Sequence, residues 1–510
     1  MSRSKYAMKN MLTMFFTYML TLGLSFITRS VFIHKLGEQY LGLNGVFSSI
    51  LSVLSISDLG LESVFAFLLY KPLSENDERR IVSFITLFKQ IYMYVGIFIF
   101  ISGLALFPFL PDIIGEQGKD LQHVELIYFI MLFNSSISYF FTFNRTMLDA
   151  NQKNYVITLI TFSMNTFISI LQITCLYIVD SMVLYVSLVL LSTIGSNIII
   201  SLYVTKSYPF LKNKKYRQSI DKSDKILLIK NTLGGVSNKL GGIVVFASDN
   251  IIISMFVNLA SVGLYSNYTM VLNSFTGLIQ KVLGTLTSSI GNLSIESPEK
   301  SKRVFENLNL IVTGVSFLVA PQLLVLLRPL ISFWLGERYI LSQYIVLLIV
   351  INFVLQLSRY PSLMYIDAYG LQWIQKWKSL IEAVLNIAFS LICLIVFNLG
   401  LAGVIIGTIL STGLFVLWYE PFIVAKYALK MSKIGQFKIV SGILIDKLWL
   451  IVPTLLVWFV MHFLSGNGLI FLIQLFSINF FLVLLTLLMV YGTRPEFKYF
   501  LNKITRYLLK

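Results

Sequence analysis

The sequence predicts an all-α polytopic membrane protein: about 14 transmembrane helices, in two pseudo-symmetric six-helix halves plus an appended helix pair. Three observations predict it: an apolar composition, long uninterrupted apolar runs, and an internal repeat. Of the 510 residues 56% are hydrophobic and only 13% charged, with a mean hydropathy of +0.80. Ordinary globular domains are about 45–50% apolar and about 25% charged. A soluble enzyme of this length would need polar surface that is missing here. Phe occurs 41 times and Cys twice, which excludes a disordered chain and a disulfide scaffold. At about 20 residues per span, fourteen helices would use roughly 55% of the chain. Alternating short segments of the β-barrel kind are not found.

The runs follow one another with short breaks. In the first part they cover about 10–33, 41–69, 85–110, 124–148, 155–179 and 182–205. The second part has about 232–257, 262–290, 308–330, 340–366, 379–397 and 400–425, and then 439–463 and 468–491. The weakest are 232–257, which carries Lys239 and Asp249, and 262–290, rich in Ser, Thr and Asn. The first run is too long for a cleaved signal peptide and contains Arg29. With an even span count and a cytoplasmic N-terminus, 29 of the 40 Lys and Arg fall in cytoplasmic segments. Exterior loops then hold only Lys35, Lys119, Arg328 and Arg338. Lys/Arg bias of this kind sets orientation, so both termini are expected in the cytoplasm. It also accounts for the net charge of +16, so nucleic acid is not expected as a partner.

The repeat has an offset of 218–221 residues. Leu148-Asp149-Ala150 and Ile366-Asp367-Ala368 end corresponding runs, and Cys175 and Cys393 share their offset. LGEQYLGLNGV (36–46) is similar to FVNLASVGLYSNY (256–268), aligning Gly42 with Gly263, and KPLSENDERR (71–80) matches the polar ESPEKSKR (296–303). The expected domains are therefore an N-terminal six-helix bundle (1–205), a basic cytoplasmic linker (206–230), a C-terminal six-helix bundle (231–426), and an appended helix pair with a basic tail (427–510). Each half has an even number of spans, so both insert alike about an axis along the membrane normal.

Ionisable residues inside spans are expensive unless they pair, snorkel or face a cavity. Arg29, Lys239, Lys281, Arg145 and Arg359 are the candidate cavity cations; Asp58, Glu62 and Asp249 are candidates for gating or ion coupling. Asp58 and Glu62 are four apart and share a helical face. By the repeat Arg29 corresponds to Asp249, and Asp58 to a position within a turn of Lys281. Opposite charges at related positions predict pairing across a central cleft, Arg29 with Asp249 toward the outside and Asp58 and Glu62 with Lys281 toward the inside. The competing reading is snorkelling, which is favoured for Arg145, Asp149, Arg359 and Asp367 near cytoplasmic helix ends, and for Lys89 and Lys447.

No constellation supports catalysis, a metal site or a cofactor. His34, His123 and His462 are far apart and lack ligand spacing, and no nucleotide-binding glycine motif occurs. Both cysteines read as packing residues. Trp334, Trp373, Trp377 and Trp418 fall near expected interfaces.

Arg29, the stretch LGEQYLGLNGVFSSILSVLSISDLGLESVFAF (36–67), KPLSENDERR, FKQIY (88–92) and the LDANQKN turn (148–154) resemble the polysaccharide repeat-unit (Wzx-like) flippases. These belong to the multidrug/oligosaccharidyl-lipid/polysaccharide exporter superfamily. The LGL–DLGLES block is the specific part; elsewhere the similarity is mainly topological. The resemblance implies a flippase of the bacterial inner membrane. Its substrate would be an undecaprenyl-diphosphate-linked oligosaccharide, turned to the outer leaflet by alternating access for capsule, exopolysaccharide or O-antigen assembly. It further implies a cavity cation from the first span, matched by Arg29, and a lipid-tail groove near the last two spans. Membrane lipids and other polysaccharide-assembly membrane proteins are the implied partners. Coupling to a proton or sodium gradient through Asp58, Glu62 or Asp249 stays open. So do three alternatives: a lipid II flippase, a cation-coupled drug exporter, and a polymerase or ligase. The last is disfavoured by exterior loops of only about a dozen residues.

Overall fold

The computed structural model describes residues 3–55, 61–213, 216, 247–284, 290, 298–461, 466 and 468–492. Among them the secondary structure is helical throughout, and eleven helices are long and apolar enough to cross a membrane. Against about 14 expected, the run 10–33 and much of 41–69 fall in the one candidate span Leu12–Leu54, and most of 232–257 and the end of 262–290 lie outside the described residues. The chain divides into two compact units, Met1–Gly263 and Leu264–Lys510.

The first unit begins with α1 (Arg3–Leu54), broken at Gly37, whose φ of 85° only glycine adopts without strain. Then come α2 (Leu61–Glu75), α3 (Glu78–Leu106), α4 (Leu110–Lys119), α5 (Val124–Ala150), α6 (Asn154–Ile178) and α7 (Met182–Ser207). Two of these starts are set by short polar side chains. Asp77 caps α3 by accepting from the Arg80 amide at 3.0 Å, and Ser181 caps α7 from Leu184 at 3.3 Å. Inside the unit α3 packs on α5, α1 on α6, and α7 on both α5 and α6. Hydroxyls that would be orphaned in an apolar interior bond to carbonyls of the neighbouring helix. Tyr128 Oη donates to Gly103 O at 2.9 Å and Ser136 Oγ to Gly96 O at 2.8 Å.

The repeat glycines Gly42 and Gly263 occupy one tight helix crossing in this unit. A Cβ on Gly42 would overlap the Leu259 carbonyl, and one on Gly263 would overlap the Glu38 carbonyl. The two related motifs pack on each other because neither carries a side chain there.

The second unit takes up α8 (Leu259–Gly284) from Leu264 onward. It continues with α9 (Pro298–Leu335), α10 (Gln343–Ala368), α11 (Lys376–Ile395) and α12 (Gly400–Ala428). Pro321 and Pro329 in α9, Pro361 in α10 and Pro421 in α12 sit inside helices, which neighbouring membrane helices tolerate. Two π-helical stretches, Thr412–Val416 and Val424–Ala428, flank the α-helical turns Leu417–Ile423 of α12. Gly403 and Gly407 bring α12 against α11: the first faces Cys393 and the second the Ser390 backbone. Cys393 is thus a packing residue at a close crossing.

The last three helices are α13 (Lys433–Leu448), α14 (Ile451–Met461) and α15 (Leu469–Tyr491). They add to the second unit through two apolar clusters on α9. Phe317 meets Leu450, Leu487 and Tyr491, with the Phe317 and Tyr491 rings edge to face at 5.3 Å. One to two turns on, Val325 meets Val457, Leu475 and Val483.

Candidate functional site: buried charges in the helical bundle

Among the described residues, the strongest concentration of buried charge is in the second unit, where α10, α11 and α12 meet. Arg359 of α10, Lys378 and Glu382 of α11, and Glu420 of α12 have side-chain exposures of 8%, 4%, 1% and 0%. They form a closed square of alternating sign. Arg359 Nη1 lies 2.8 Å from Glu382 Oε1 and Nη2 lies 2.9 Å from Glu420 Oε1. Lys378 Nζ closes the square, 2.6 Å from Glu420 Oε1 and 3.1 Å from Glu382 Oε2. Both carboxylates receive the fork of Arg359, through Nε and Nη2 to Glu420 and through Nη1 and Nη2 to Glu382.

Local sequence makes this possible in three ways. Lys378 and Glu382 are four apart on one helix face. The glycine crossing of α12 on α11 lets Glu420 approach. The π-helical stretches then flank the turns that carry Glu420, a placement often found at functional positions. A polar seam continues from the square. Gln356 accepts from Arg359 Nη1 at 2.9 Å, and Asn386 Nδ2 donates to Thr408 Oγ1 at 2.8 Å. Lys447 of α13 donates to the Ser358 carbonyl at 3.4 Å, so the added helices reach the residue beside Arg359.

Snorkelling is therefore the wrong reading for Arg359: its guanidinium is turned into the bundle and held by two carboxylates. Lys447 likewise points inward to a backbone carbonyl. As a substrate cation Arg359 would first have to give up a carboxylate. The arrangement instead fastens three helices into one block. Two charges of each sign leave the square electrically balanced, which buried ions require.

The other predicted residues that are described lie outside this square. In the first unit Arg29 is half-buried on α1 with the Tyr185 phenol of α7 as its electrostatic neighbour. Arg145 of α5 donates through Nε and Nη2 to Asn197 Oδ1 of α7, at 3.1 and 2.9 Å. Asp249 is buried, and the adjacent Asn250 donates to Ser49 Oγ of α1 at 2.9 Å. Glu62 lies on α2, but its side chain, like the whole of Asp58 and Lys239, lies outside the described residues. Lys281 is exposed near the end of α8. Asp367 accepts from Gln372 Nε2 at 3.1 Å. Sequence reasoning missed Lys378, Glu382 and Glu420. The spacing of Lys378 and Glu382 was the available signal, of the same kind as Asp58 and Glu62.

No protein-family model matches the chain, and no curated protein matches it in sequence. Solved structures do match. An inward-facing multidrug resistance MATE family transporter of the MOP superfamily aligns with a TM-score of 0.60 at 14% identity, covering 81% of this chain and 96% of the other. The lipid II flippase MurJ, in an inward closed conformation, aligns with a TM-score of 0.60 at 17% identity, covering 94% of this chain and 98% of the other. An outward-facing MATE transporter gives 0.51 at 14% identity, covering 86% and 95%. The chain is a multi-pass, all-helical membrane protein with the fold these structures share.

Proposed function

We propose that the protein is a flippase of an anionic lipid-linked oligosaccharide, turned by alternating access from the cytoplasmic to the outer leaflet of a bacterial inner membrane. The observation that carries this reading is the reach of the structural likeness. The match to the lipid II flippase takes in 94% of the chain, whereas the two MATE transporters take in 81% and 86%. The additional length is of the order of the appended helices α13–α15. A small amphipathic drug needs no such addition. A substrate with a long lipid tail gives extra apolar surface a purpose. The LGL–DLGLES block points to the polysaccharide branch of the same superfamily.

The chemistry asked of the protein is binding without bond-making. A diphosphate head group is strongly anionic, and its passage through the bilayer needs cations in a water-accessible path. Arg29 is the residue we assign first, with Lys239 and Lys281 as further cations. Arg145 is proposed as another such cation, and Arg359 we reassign to holding α10–α12 together. Asp249 is proposed as the partner that Arg29 exchanges for substrate. Asp58 and Glu62 are proposed for gating or for binding a coupling proton or sodium ion.

The test is depletion of the protein in its native cell, followed by fractionation of lipid-linked sugars by leaflet. Repeat units accumulating on the cytoplasmic leaflet are expected; unimpaired surface polysaccharide in the deletion strain would overturn the assignment. The lipid II flippase is the second reading, favoured by the same coverage. Rescue of a strain depleted of its own lipid II flippase would select it.

A further inference from the structure

Where α9 ends, the second unit has a cavity of about 260 Å3. It is bounded by α9, the short turn 337–339, the start of α10 and the start of α15. This is the end that charge asymmetry places outside the cell. Its volume is below the roughly 300–1,000 Å3 of pockets for drug-sized ligands, so it suits a head group more than a whole molecule.

Two ionic side chains line it, Arg328 and Glu337, and neither forms an ion pair with a described residue. The Arg328 guanidinium makes no hydrogen bond or ion pair with any described residue, and its Nε is buried without an acceptor. The Tyr268 phenol, an electrostatic neighbour of Arg328, already accepts from the Leu341 amide at 2.8 Å. Glu337 is exposed at the mouth and forms no ion pair with a described residue, Arg328 included. Phe333, Phe471 and Leu472 supply apolar wall, and Phe333 is itself exposed. A buried guanidinium nitrogen without an acceptor is a costly feature unless a ligand completes it.

We propose that this cavity is a binding site for the head group of a zwitterionic phospholipid, a phosphate ester bearing a primary ammonium. The phosphate accepts from Arg328, whose planar fork suits its oxygens. The ammonium, two carbons away, donates to Glu337. The glycerol and the first acyl carbons lie against Phe333 and Phe471. A purely anionic lipid would satisfy Arg328 and leave Glu337 without a cation. The site is partly made by α15, so a bound lipid would also join the appended helices to α9 and α10.

The test uses the purified full chain in detergent, stripped of lipid. Binding of short-chain phosphatidylethanolamine, short-chain phosphatidylglycerol and inorganic phosphate is measured by native mass spectrometry. The ethanolamine lipid is expected to bind a few-fold more tightly than the glycerol lipid, as befits one exposed ion pair. Arg328→Gln should weaken it about ten- to hundredfold, the range for losing a charged hydrogen-bond partner. Glu337→Gln should weaken it a few-fold, as befits an exposed ion pair, and abolish the preference over the glycerol lipid. The melting temperature of each variant without lipid separates misfolding from lost binding, and the exposed Glu337→Gln carries the test should Arg328→Gln not fold. Equal binding of the two lipids, unchanged binding in Arg328→Gln, an unaltered preference in Glu337→Gln, or displacement by equimolar inorganic phosphate would each overturn the proposal.

Discussion

Replacing Arg359 with leucine removes one of two cations from the closed square and leaves Lys378 alone between Glu382 and Glu420. In the native protein Arg359 makes two ion contacts, at 2.8 and 2.9 Å. Each is worth roughly 6 kcal/mol at an effective dielectric of about 20, before desolvation is subtracted. Desolvation offsets most of that gain. The measurable loss is set instead by the unbalanced charge left behind, and breaking a buried pair from one side costs about 3–5 kcal/mol. For a unit of this size that lowers the apparent melting temperature of the detergent-solubilised protein by on the order of ten degrees. The double variant Arg359→Leu/Glu420→Leu keeps one neutral pair, Lys378 with Glu382. It should be more stable than the sum of its single changes by about 1–3 kcal/mol. Lys302→Ala serves as a control: that lysine and Glu306 are half-exposed and 3.8 Å apart on α9, where an ion pair contributes about 0–1 kcal/mol. The reasoning fails if Arg359→Leu melts with the native protein, or if the double variant loses as much as the two singles together.

Gly42→Ala and Gly263→Ala should each sharply reduce the monodisperse yield on gel filtration, since each new methyl meets a backbone carbonyl that cannot move aside. Gly23→Ala, which has nothing within 4 Å, should behave as the native protein. Arg29→Ala should abolish flipping while leaving the melting profile nearly unchanged; a charge swap of Arg29 and Asp249 should restore part of the activity if the two pair during the cycle. A swap as inactive as either single charge reversal would count against that pairing. Tyr491→Ala removes a ring that is 1% exposed and packed on Phe317, and should cost about 3–5 kcal/mol in thermal stability. Tyr491→Phe, which loses the 3.2 Å bond to the Asp446 carbonyl, should cost about 0.5–1.5 kcal/mol.

The membrane-spanning character, the helical class and the correspondence of Gly42 with Gly263 were legible without coordinates; that these two glycines share a close helix crossing was not. Apolar runs need no partner to be recognised, because the bilayer is the partner. The matched glycines stood out because a constant offset across loops is improbable by chance. The charges were harder. Arg29 and Asp249 could be singled out as costly, yet Glu382 and Glu420 sit in equally apolar runs and were passed over. Glu420 stands in the chain beside aromatic residues and Pro421, 38 residues from the glutamate it joins. Nothing local marks such a pair.

By itself, then, the sequence determined that this chain lives in a membrane as a helical bundle, which way round it is expected to insert, and that some of its charges are too costly to be idle. Those are properties of composition and period, and each is carried by a single helix. Which charges answer one another was decided only by tertiary structure. Pairing depends on the rotation and depth at which helices meet, and these are set by Gly403 and Gly407 at one crossing and by the π-helical stretches of α12. The same holds for Arg328. In the chain it was an exterior-loop cation among four, and only the packing of α15 beside α9 enclosed it in a cavity with Glu337.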